Sequence, residues 1–151
     1  MSITLHIGQE QTTVTSDAST LVLDLGSTRT AHAFFRHTPP TLGELENAIM
    51  AVEDEVTRAR SLVAGDPTLE TTGMAIREIA LLAGVRDQPV MELSIEAVER
   101  MFDLLAALVQ GRPASSAGLP NTREFAATLL ILREFMHHLQ FAAIRIADTD
   151  A

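Results

Sequence analysis

At 151 residues the chain is one domain's worth, and 46% hydrophobic against 21% charged residues excludes a disordered polymer. The absence of cysteine excludes disulfides, thiolate metal sites and thiol catalysis. The net charge is −9, and all 11 basic residues are Arg, which excludes the clustered positive charge of a nucleic-acid binder and disfavours an anionic membrane.

With no Lys there is neither Schiff-base chemistry nor a P-loop, and general-acid candidates reduce to carboxylates and five His. Arg as the sole basic residue, with abundant Ala, points to a bacterial genome rich in GC. The N-terminus Met-Ser-Ile-Thr-Leu-His lacks the basic and apolar regions of a signal peptide. The segment Phe125 to Ile146 is broken by Arg133, Glu134, His137, His138 and Arg145, too charged for a membrane span. A cytoplasmic location is expected, with no nucleic-acid and no membrane partner.

In chain order, Ile3, Leu5 and Ile7 alternate with Thr4 and His6, the pattern of a half-buried strand. A turn at Gly8-Gln9-Glu10 leads to a β-branched edge strand, Gln11 to Thr15. Leu21 to Leu25 is the most hydrophobic strand. Gly26-Ser27-Thr28 breaks it, and Thr30 to Arg36 alternates again around Ala31, Ala33 and Phe35. Connections this short predict an antiparallel meander of three or four strands. Pro39-Pro40 ends the strand region.

Thr41 and Glu44 form a capping box, and Leu42, Leu45, Ile49, Val52, Val56 and Val63 make one helical stripe. A second, largely buried helix is expected from Thr68 to Ala83, then a connection over residues 85–93. A third helix, capped by Ser94, runs from Ile95 to Gln110. A flexible loop, 111–120, precedes a last helix from Thr122 to Ile146. The fold expected is α+β in a single domain: an N-terminal antiparallel β-meander (1–38) packed against a bundle of about four α-helices (41–147). Leu130, Phe141 and Ile144 fall on the otherwise polar side of the last helix. Apolar residues on both sides predict a second contact surface, most simply a homodimer.

Three constellations could carry chemistry. Leu21-Val-Leu-Asp24-Leu-Gly26-Ser27-Thr28-Arg-Thr30 resembles the first phosphate-binding motif of the actin-like ATPase superfamily, which includes sugar kinases, heat-shock chaperones and exopolyphosphatases. That motif is an apolar strand, Asp-x-Gly, then Ser/Thr residues in a hairpin turn. Glycine lets the backbone approach phosphate, and turn N–H groups and hydroxyls bond its oxygens. The resemblance implies a phosphate- or nucleotide-binding role for Asp24, Gly26, Ser27 and Thr28, with Asp24 orienting metal-bound water. It covers this segment alone. The superfamily uses two such domains with nucleotide between them, and no second motif follows here.

The second constellation is Glu134-Phe-Met-His137-His138. Glu-x-x-His on a bundle helix is the spacing of carboxylate-bridged di-iron proteins. Only one copy is present, on the side opposite Phe125, Leu132 and Leu139. A metal held by Glu134, His137 and His138 across a dimer interface is the chemistry it suggests. The third is Arg36 with His37, placed to meet an anion near the capped helix start at Thr41. The run Glu53-Asp54-Glu55 reads as a solvated face.

No family is recognised over the whole chain, no cofactor is specified, and no complete catalytic set is present. The reading reached is a binding or accessory protein, not an enzyme, that acts as a homodimer through its helical surface on a protein partner or small ligand. The alternatives are a phosphate or nucleotide binder at Asp24–Thr28 and a metal binder on the last helix.

Overall fold

The computed structural model describes residues 1–113 and 118–147. In chain order it contains β1 (Ser2–Ile7), β2 (Thr12–Thr15), β3 (Thr20–Leu23), α1 (Ser27–Phe34), α2 (Leu42–Val56), β4 (Thr68–Thr71), α3 (Met74–Leu82), β5 (Val90–Ser94), α4 (Ile95–Val109), α5 (Arg123–His138) and β6 (Ala143–Ala147). A 3-10 turn, Thr57–Ala59, continues α2. The protein is α+β, with five α-helices among the described residues. The six strands form one mixed sheet in the order β3-β2-β1-β4-β6-β5.

The meander exists as three strands. β1 pairs antiparallel with β2, Leu5 opposite Val14, and β2 pairs antiparallel with β3, Val14 opposite Leu21. On its other side β1 runs parallel to β4, and β4 parallel to β6, with helices making the crossovers. β5 closes the sheet antiparallel to β6. Ile3, Leu5, Ile7, Leu69, Met91, Leu93, Ile144 and Ile146 are buried against the helices. Thr4, His6, Glu92 and Arg145 alternate onto the opposite, exposed face.

Four expected elements differ. Thr30 to Arg36 is not a strand. Its buried positions, Thr30, Ala31 and Phe35, with half-buried Phe34, follow a helical spacing, and Gly26 starts α1. The helix expected from Thr68 begins as β4, because Thr68-Leu69-Glu70-Thr71 alternates and finds partners on both sides, and α3 starts only after Gly73. Residues 85–93 include most of β5. The last helix stops at His138, where Gln140, at φ 62, turns the chain into the alternating strand Ala143–Ala147. The expected loop at 111–120 falls partly on residues 114–117, outside the described residues.

Helix α5 sits at the centre. It packs against α1, α2 and α4 and buries every residue from Phe125 to Leu132. Leu130 and Ile144 are fully buried and Phe141 nearly so, its ring stacked on Phe135 at 5.9 Å. The apolar residues expected to form a free second surface are therefore interior, covered by the chain's own helices and sheet. The inference of a dimer from apolar surplus loses its basis.

Candidate functional site

Strands β1, β4 and β6 are parallel, so their carboxyl ends share one edge of the sheet. In open sheets of this kind the crevice outside those ends is where ligands bind. Here β1 ends in the turn Gly8-Gln9-Glu10-Gln11, closed by the Gly8 N–H donating to the Gln11 carbonyl at 2.9 Å. β4 ends in Thr71-Thr72-Gly73, and Gly73 is the N-cap of α3 without a side-chain cap bond. His6 stands between the two glycines: a Cβ on Gly8 would lie 3.8 Å from its Nε2, and one on Gly73 3.9 Å from its Nδ1.

Three helix starts meet at this edge. A cavity of about 420 Å³ lies elsewhere, beside His138 and Gln140. A cavity of about 300 Å³ is lined by Ser27 at the start of α1, Ala75 in the first turn of α3, and Thr122 at the N-cap of α5, and a second, of about 260 Å³, by Thr71, Thr72 and Ala147 at the ends of β4 and β6. Glu78, Glu124 and Thr128 complete the polar lining of the cavity at Ser27. Thr122 Oγ1 accepts from the Phe125 N–H at 3.1 Å, and Thr128 Oγ1 donates to the Glu124 carbonyl at 2.9 Å. Converging helix starts favour negative charge, whereas the two carboxylates oppose it.

The structure divides the set Asp24, Gly26, Ser27 and Thr28. These residues do not form a hairpin turn. They lead from β3 into α1, and the backbone N–H groups that phosphate would need are already engaged. Ser27 N–H donates to the Gly8 carbonyl at 2.9 Å, and those of Thr28 and Arg29 donate to the Gln9 carbonyl at 3.0 Å. Gly26 is buried against that same turn, its N–H donating to Thr30 Oγ1. Asp24 is exposed, its N–H bonded to the Glu55 carboxylate and its side chain 3.8 Å from Arg29. It lines a separate cavity with Arg29 and Glu55, so of the four only Ser27 faces the cavity at the helix starts. The hairpin after the first apolar strand is instead β1–β2, and it carries His6-Ile7-Gly8 where the quoted motif has Asp-x-Gly.

The anion position near Thr41 is taken by the chain's own carboxylate. Glu44 Oε2 accepts from the Arg36 N–H at 3.2 Å and lies 2.9 Å from His37 Nδ1, while Oε1 accepts from the Thr41 N–H at 3.0 Å. The Thr41–Glu44 capping box is complete. The Thr41 N–H bond, with His37 and the Arg36 N–H assisting against the cost of burial, holds the Glu44 carboxyl down to about 2.

Of the three residues named on the last helix, Glu134 and His138 stay together and His137 stands apart. His137 is exposed, its Nδ1 3.5 Å from Glu99. Glu134 is not outward-facing but fully buried, with Oε2 bonded to Arg133 at 2.7 Å and Oε1 3.3 Å from His138 Nε2. Arg133 also bonds Glu99 at 3.1 Å and stacks over Phe102 at 4.7 Å. Burial opposes the Arg133 charge, but Glu134 and Glu99 outweigh it and raise its pKa above the ordinary value. The neighbour that the sequence did not point to is Glu53 of α2, whose Oε1 lies 3.8 Å from His138 Nε2. No spacing rule links residues on two helices so far apart in the chain. Glu53 looked like one more charge in an acidic run.

No protein-family model matches the sequence, and no curated protein sequence matches it. Solved structures do. The chain is similar to the Ppx/GppA enzyme of Aquifex aeolicus at 16% identity, with a TM-score of 0.75 over 97% of this chain and 53% of that one. An exopolyphosphatase from Cytophaga hutchinsonii is similar at 15% identity and TM-score 0.73, over 98% of this chain and 53% of that one. An exopolyphosphatase-like protein gives 13% and 0.73, with 97% and 55% covered. The fold is therefore that of Ppx/GppA-type proteins, and the chain spans about half the length of the structures it matches.

Proposed function

We propose that this chain is a phosphate-recognising half of an exopolyphosphatase-type fold. It would bind a polyphosphate or nucleotide phosphate chain at the carboxyl ends of β1 and β4. The observation that carries the reading is the cavity where the starts of α1, α3 and α5 converge at that edge. The likeness to Ppx/GppA structures supports it, and it favours this alternative over a homodimer working through a helical surface. The burial of Leu130 and Ile144 argues the same way.

Ser27 and Thr122 supply hydroxyls, and the start of α3, whose N-cap Gly73 makes no side-chain cap bond, supplies positive potential. Glu78 and Glu124 at the same cavity would repel a bare polyanion, so the ligand enters with Mg²⁺ to bridge them. His6 stands where the superfamily motif places the water-orienting aspartate. The chain spans about half the length of the matched structures, so binding alone is proposed.

The test is the melting temperature with polyphosphate or ATP, each with and without Mg²⁺. Ligand at about 100 times its dissociation constant adds about 2.7 kcal/mol, worth about 5–10 °C for a chain this size. Ser27→Asp, which places a negative charge in the cavity but suits a helix start, removes the shift. Asp24→Ala, on the other cavity, leaves it. A shift lost in Asp24→Ala and kept in Ser27→Asp would move the site to the β3–α1 junction. No shift with any phosphate ligand would end the reading.

A further inference from the structure

We infer that Glu53, Glu134 and His138 form a binding site for a divalent transition-metal ion of the zinc class. It is separate from the phosphate reading and lies between α2 and the end of α5. One ligand atom from each residue lies within 4.8 Å of the others. Glu134 and His138 are one helical turn apart, which puts both side chains on the same face. Packing of α2 against α5 brings Glu53 to them.

The decisive feature is Glu134. Its carboxylate is fully buried, yet Oε1 has no hydrogen-bond partner. A buried carboxylate oxygen without a donor is costly, and a cation is the ligand that removes the cost. His138 Nε2 is 3.3 Å away but makes no hydrogen bond to it. Two ligands bound at about 2.0–2.1 Å to a tetrahedral ion stand about 3.3–3.4 Å apart, so this spacing suits one metal between them. Glu53, whose side chain is 45% exposed, is free to close the remaining distance.

The surroundings fit the same ion. Arg133 holds Glu134 by its other oxygen and is itself anchored by Glu99, as outer-shell partners orient metal ligands. His138 also borders the cavity of about 420 Å³, so a fourth ligand can enter from solvent. One imidazole with two carboxylates suits zinc and its neighbours better than Mg²⁺, which takes oxygen ligands. His137, turned toward Glu99, takes no part.

Metal-stripped full chain is titrated with Zn²⁺ and, separately, Mg²⁺ by calorimetry, and with Co²⁺ by visible absorption. One equivalent of Zn²⁺ binds and raises the melting temperature, and Co²⁺ gives ligand-field bands. His138→Gln, close in size to the native ring, abolishes both. Glu53→Gln, at a half-exposed position, weakens Zn²⁺ by about 10-fold or more. His137→Ala binds as wild type. Absence of one-equivalent Zn²⁺ binding, equal binding of Mg²⁺, retention in His138→Gln, or loss in His137→Ala would each overturn the site.

Discussion

Gly26 shows how one atom ties the β1–β2 turn to α1. Its φ of −169 is ordinary extended backbone, so the requirement is space, not conformation. A Cβ there would lie 2.2 Å from the Gln9 carbonyl oxygen, part of the same turn that satisfies the first N–H groups of α1. Gly26→Ala must push the turn away, and a loss of about 1–3 kcal/mol in urea unfolding is expected. An unchanged midpoint would mean that the turn does not rest on Gly26. Glu44 makes a second prediction at this scale. Its carboxyl is held at about 2 against an ordinary 4.5. A depressed carboxyl contributes stability that is complete above the unfolded value and is lost as pH falls through the folded one. Glu44→Gln should therefore melt lower than wild type at neutral pH, and the two melting curves should converge between about pH 4.5 and 2. A gap that stays constant down to pH 2 would assign the effect to the capping geometry and not to charge.

At the scale of elements, α5 is the keystone. Leu130 contacts the interior from the side of the helix that the polar residues mark as outer, so Leu130→Ala should cost about 2–5 kcal/mol. A cost below 1 kcal/mol, measured by denaturant unfolding, would return that side to a free surface. The same helix shows what was legible in the sequence. Period-two alternation and capping chemistry are local, and they place the spans of β1, β2, β3 and the starts of α2 and α4 correctly, although β2, expected at an edge, lies inside the sheet between β1 and β3, because β3 pairs with its free side. Three of the four failures share one cause. Thr68–Thr71, Val90–Ser94 and Ala143–Ala147 are short, and each is a strand only because a neighbour pairs with it. A helical wheel places Glu134 on the side opposite Phe125, Leu132 and Leu139 because it cannot know that α1, α2 and α4 surround the helix.

At the scale of the molecule, the fold brings together residues from three parts of the chain, Ser27, Ala75 and Thr122, with Ser27 bonded to the β1–β2 turn. The resemblance at Asp24–Thr28 describes a hairpin, whereas that segment leads from β3 into α1 and the hairpin lies at Gly8. Only Ser27 carries over into the cavity. The likeness to Ppx/GppA structures covers nearly the whole chain and about half of each neighbour. The most direct test is calorimetric titration of wild type with polyphosphate in Mg²⁺, repeated with Ser27→Asp. The account predicts saturable, Mg²⁺-dependent binding to the single chain, weakened about 10-fold or more by Ser27→Asp, which corresponds to about 1.4 kcal/mol. No binding by wild type, or equal affinity in the variant, would contradict it.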